Sequence, residues 1–88
     1  MISRVFLIKN KLGLHARPSA SFVQTANRFR SEIQVEKDGK VADGKSIMDL
    51  MMLAAAYGTY ITVNAQGEDA LDVLDALENL IEGRFGEE

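Results

Sequence analysis

Two apolar periodicities alternate along the chain, and their order leaves few folds open to it. Residues 2–8 (ISRVFLI) are rich in β-branched and aromatic side chains and predict a strand. From Ala16 to about Arg28 the spacing changes: Ala16, Ala20, Val23 and Ala26 recur at helical intervals, flanked by Phe22 and Phe29. Glu32 to Glu36 returns to strict alternation, Lys37-Asp38-Gly39-Lys40 is a hairpin turn, and Val41-Ala42 begins the return strand. A short apolar helix follows from Ser46, with its end expected near Gly58. Tyr60 to Ala65 alternates again. A last helix starts near Asp69, and Ala70, Val73, Leu74, Leu77, Leu80 and Ile81 form its apolar stripe. Gly83 marks its end, and Gly86-Glu87-Glu88 is expected to fray. The order β-α-β-β-α-β-α, with a hairpin in it, predicts an α+β fold with helices on one face of a mainly antiparallel sheet.

Eighty-eight residues suffice for one small domain, expected over 1–88, which cannot enclose a large substrate cavity. That favours a carrier or binding module, or one very simple reaction, over a self-contained enzyme. The absence of cysteine excludes disulfides, thiolate metal sites and cysteine nucleophiles. With one histidine and no ordered acidic loop, neither a metal nor another cofactor is expected. The start of the chain has no secretory pattern, and its longest apolar stretch, Met51 to Tyr57, is too short to span a membrane. A cytoplasmic, monomeric protein without membrane association is the expectation.

The net charge of −3 is unevenly divided. Residues 1–48 hold nine Lys/Arg against four Asp/Glu, or +5, while residues 49–88 hold one Arg against nine Asp/Glu, or −8. The basic half can steer an acidic protein partner. Nucleic acid is disfavoured, because the acidic half repels phosphates.

The lone histidine, His15, stands where the first helix begins. Pro18 belongs in the first turn, where its missing N–H removes no intrahelical bond. That turn leaves backbone amides without partners, and the helix dipole adds partial positive charge, so Ala16 and Arg17 offer N–H groups to a phosphoryl group. The Arg17 side chain adds a charged donor. Gly13 permits the turn that presents the ring. A histidine beside a helix start also serves as a plain surface or capping residue, so placement alone does not decide.

Ser46 and Asp49 form an S-x-x-D pattern ahead of an apolar helix, which makes Ser46 a helix N-cap. Leu50 and Leu53 are assigned to the core. Ile47, Met48 and Met51 either join them or form an exposed, adaptable patch for protein partners.

Gly13-Leu14-His15-Ala16-Arg17-Pro18 resembles the active-site signature of HPr, the histidine-containing phosphocarrier family of the phosphoenolpyruvate-dependent phosphotransferase system. Gly44-Lys45-Ser46-Ile47-Met48 is similar to that family's regulatory-serine segment, and the resemblance extends over the whole chain. It implies an open-faced β-sandwich, with four antiparallel strands in the order 1-4-2-3 and three helices on one side. It further implies that Enzyme I donates a phosphoryl group to Nδ1 of His15, that Arg17 stabilises it, and that an EIIA-type domain receives it. Ser46 would be the target of HPr kinase/phosphorylase. Where relatives commonly have glycine after Ser-Ile-Met this chain has Asp49, whose charge opposes a phosphate on Ser46. Two other functions share these motifs: a nitrogen-type regulatory carrier, and a binding module acting through the Ser46 helix.

Overall fold

The computed structural model describes residues 1–87. Four strands, β1 (Ile2–Leu7), β2 (Glu32–Lys37), β3 (Lys40–Asp43) and β4 (Tyr60–Gln66), form one antiparallel sheet in the order β1-β4-β2-β3. Helices α1 (Ala16–Ala26), α2 (Ile47–Met52) and α3 (Ala70–Glu82) cover one face, followed by a 3₁₀ turn at Arg84–Gly86. The α+β class, element order and strand order therefore agree with those expected.

Period-two alternation sets the register. Phe6 lies opposite Ile61, Val35 opposite Val63, and Ile33 opposite Ala65, so the buried side chains of three strands fall in rows beneath the helices. Phe22 of α1, Leu50 of α2 and Val73, Leu74, Leu77 and Ile81 of α3 close over them and are essentially inaccessible to solvent. The other sheet face is open, with Val5, Val41 and Tyr60 exposed. Two polar ties fix α3 to the sheet layer. Arg4 reaches Asp75 at 2.7 Å and Glu78 at 3.1 Å. At the other end Asp69 accepts the amides of Arg30 and Ser31 at 2.8 and 2.9 Å, and the Ser31 hydroxyl at 2.5 Å.

Three local expectations need correction. The buried face of α1 is Pro18, Ser19, Phe22, Val23 and Ala26, whereas Ala16 is exposed and Ala20 half-buried. Ser19 is accommodated inside because its hydroxyl donates to Leu14 O at 3.0 Å. Helix α2 stops at Met52, well short of Gly58. Leu53 caps it, Ala54 turns left-handed (φ 51°), and Ala55 O accepts the Leu14 amide at 2.9 Å instead of continuing the helix. Finally, Gly86 and Glu87 are held in place rather than frayed; Glu88 lies outside the described residues.

Candidate functional site

The loop between β1 and α1 builds the site. Asn10 O accepts the Gly13 amide at 3.1 Å, and the buried Asn10 side chain donates to Gly13 O at 2.7 Å, closing a tight turn on itself. Gly13 takes φ +65°, and a side chain there would meet Ala55 O at 2.2 Å. Leu14 is buried beneath the loop, so the chain emerges at His15 pointed toward solvent.

His15 is the N-cap of α1, with extended backbone angles, and its side chain makes no capping bond. The ring is therefore not spent on the helix. Its carbonyl accepts the Ser19 amide at 3.0 Å, which leaves Ala16, Arg17 and residue 18 as the first-turn positions without an intrahelical acceptor. Proline at 18 has no N–H. The helix mouth thus presents two amide donors, those of Ala16 and Arg17, and both residues are exposed. Their donors and the adjoining guanidinium favour an anion beside the ring.

The Nε2 edge of the ring is occupied. Nε2 of His15 lies 3.0 and 3.2 Å from the two carboxylate oxygens of Glu87, and Asn10 Nδ2 donates to the same carboxylate at 3.0 Å. Partial burial works to raise the Glu87 carboxyl. The hydrogen bonds from His15 and Asn10, with the nearby charge of Arg17, outweigh it and hold the group below the ordinary carboxylate value. Neither Asn10 nor Glu87 is a site residue in the sequence expectation. Gly86 is the one local signal of a turn there, and nothing in the order of residues joins position 87 to position 15.

Beside His15 lies a shallow recess of about 230 Å³, lined by Leu12, Leu14, His15, Met51, Ala54 and Ala55 among others. Met51 and His15 are thereby brought together. Ile47, Met48, Met51 and Met52 are all exposed while Leu50 and Leu53 are buried, so Ile47, Met48 and Met51 do not join the core. Ser46 does not line the recess. It is the N-cap of α2, its Oγ accepting the Asp49 amide at 3.2 Å. The Asp49 carboxylate turns back to accept the Asp43 amide at 3.1 Å. No cluster of metal-ligating side chains occurs among the described residues, and no helix is long and apolar enough to cross a membrane.

Comparison with known proteins gives a consistent family. Residues 2–83 match the family model described as the PTS HPr component phosphorylation site. The chain is 52% identical to the phosphocarrier protein HPr of Neisseria meningitidis, over 99% of this chain and 98% of that one. It is 51% identical to the HPr-like protein Crh of Bacillus subtilis, over 88% and 91% respectively. The crystal structure of HPr-C-His from Thermoanaerobacter tengcongensis superposes with a TM-score of 0.95 at 50% identity, covering 100% of this chain and 99% of that one.

Proposed function

The chain belongs to the HPr family, the phosphocarriers of the phosphotransferase system, and on that premise we propose that His15 accepts a phosphoryl group from phosphorylated Enzyme I and passes it to an EIIA-type domain. The supporting observation is the division of labour around the ring. Nε2 is engaged by Glu87, and the helix mouth beside the ring keeps the Ala16 and Arg17 amides free of intrahelical bonds. The lone pair of Nδ1 attacks phosphorus, a P–N bond forms, and the bond from phosphorus to the donor breaks. The two amides and the Arg17 guanidinium hold the phosphoryl oxygens through the transfer. In the onward step the same bond breaks as the acceptor attacks, and His15 is regenerated.

The donor and acceptor meet one face in turn. Ile47, Met48 and Met51, exposed on α2 with Met51 bordering the recess, supply an adaptable apolar contact suited to weak, fast-exchanging partners. Ser46 is a further target, for HPr kinase/phosphorylase, with Asp49 opposing the added charge. A nitrogen-type carrier would use the same groups with different partners. The likeness to Crh gives some weight to a regulatory binding module acting through the Ser46 helix. His15, the N-cap beside the free amides of Ala16 and Arg17 with Glu87 at Nε2, favours the carrier, since such a module needs no nucleophile. The test is onward transfer: protein phosphorylated by Enzyme I and then isolated should lose its label to an added EIIA domain. Retention of the label in the presence of EIIA domains of both the sugar and nitrogen branches would refute the relay.

A further inference from the structure

We propose that Glu87 is a positioning residue for His15, its carboxylate holding the ring with the proton on Nε2 and the lone pair on Nδ1. The purpose of this contact rests on the phosphocarrier function above; the contact itself does not. An ionised carboxylate only accepts hydrogen bonds, so the nitrogen 3.0 Å from it must carry the proton. The neutral ring then has its free lone pair on the other nitrogen, Nδ1.

The carboxylate is itself held from two directions. Asn10 Nδ2 donates both to Gly13 O, at 2.7 Å, and to Glu87, at 3.0 Å. Two acceptors on one amide nitrogen settle the orientation of that buried side chain. The loop that presents His15 and the segment that carries Glu87 are thus joined through Asn10.

Backbone geometry brings Glu87 there. Arg84, Phe85 and Gly86 are consecutively left-handed, with φ 56°, 56° and 74°. Non-glycine residues adopt that conformation at a cost, and two in succession persist only where the surroundings enforce them. Phe85 is buried at the end of α3, and the Glu87 amide donates to Arg84 O at 2.8 Å. The turn reverses the chain after α3 and delivers the carboxylate to the ring. As the P–N bond forms at Nδ1, the imidazole gains positive charge while Nε2 keeps its proton. A carboxylate at Nε2 stabilises that charge without occupying the phosphoryl site.

The test uses the full chain with ¹⁵N-labelled histidine at pH 9. Wild type should show widely separated Nδ1 and Nε2 resonances. In Glu87→Ala they should draw together as the tautomers mix, and phosphoryl acceptance from Enzyme I should slow by about three- to tenfold, the worth of one orienting hydrogen bond. Gly86→Val should move the resonances in the same direction with the carboxylate still present, since a side chain there meets no neighbour but opposes the left-handed turn. Resonances in Glu87→Ala that coincide with wild type, or an unchanged acceptance rate, would overturn the proposal. The resonance measurement needs no donor. A wild type that takes no phosphoryl group would therefore refute the carrier function while leaving the Glu87 contact to be decided by the spectra.

Discussion

Ala55 O lies where a side chain on Gly13 would stand: a Cβ at position 13 would fall 2.2 Å from it, and the same carbonyl accepts the Leu14 amide at 2.9 Å. The loop before His15 is therefore pressed against the segment that leaves α2, which is why His15 and Met51 border one recess. Gly13→Ala combines this collision with a left-handed backbone (φ +65°) and should cost about 2 kcal/mol or more, read from the urea midpoint. Gly39→Ala is the control. It is also left-handed (φ +82°) but faces open space, and should cost about 1 kcal/mol. Equal losses at the two positions would show that close approach to Ala55 is unimportant.

Asp69 links the start of α3 to the chain entering β2. The Ser31 hydroxyl, then the Arg30 and Ser31 amides, hold its carboxyl below the ordinary value, against the opposing effect of burial. A depressed folded-state value stabilises the fold above the unfolded carboxylate value, near pH 4, and that contribution disappears as pH falls through the folded one. Asp69→Asn should thus be less stable than wild type at pH 7, with the gap narrowing below pH ~4. A gap that stays constant down to pH 2 would contradict this account.

Ser46 and Asp49 are structurally coupled, since Ser46 Oγ caps the Asp49 amide while the Asp49 carboxylate anchors the Asp43 amide. Ser46→Ala should lose about 1 kcal/mol of stability by removing the cap. Asp49→Gly should raise the rate at which a cognate HPr kinase/phosphorylase modifies Ser46, because a carboxylate within one turn repels the arriving phosphate. No increase in that rate would remove the electrostatic argument.

Arg17 is exposed in the first turn of α1, so its replacement should leave stability nearly unchanged. Arg17→Ala should slow phosphoryl acceptance by on the order of 10²-fold, as expected for losing a donor to developing charge. Arg17→Lys should recover only part of that, because the lysine ammonium lacks the planar fork of guanidinium. Full activity in Arg17→Ala would exclude a role in holding the phosphoryl group.

The strands and the α3 stripe were legible in the sequence because each buries one face of a regular period, as Ile33, Val35, Ile61 and Val63 illustrate. The end of helix α2 is not legible, because Ala54 leaves the helix through contacts made elsewhere: Ala55 O serves Leu14, a long-range bond that no local pattern encodes. On α1, the buried Ser19 and exposed Ala16 reversed the polarity rule, since a hydroxyl with a carbonyl partner packs as well as a methyl. At the site, Pro18 and Gly13 gave local reasons for a free helix mouth beside His15. Glu87 is not legible, because two non-glycine residues, Arg84 and Phe85, turn left-handed ahead of Gly86 and the contact spans 72 positions.

The central claim, that His15 is the phosphoryl acceptor, is tested most directly by incubating the protein with phosphoenolpyruvate and a catalytic amount of Enzyme I, then measuring bound phosphoryl group by intact mass and its loss in acid. The account predicts one acid-labile phosphoryl group on the wild type and none on His15→Ala. Label on His15→Ala, or a wild type that stays unmodified, would contradict it.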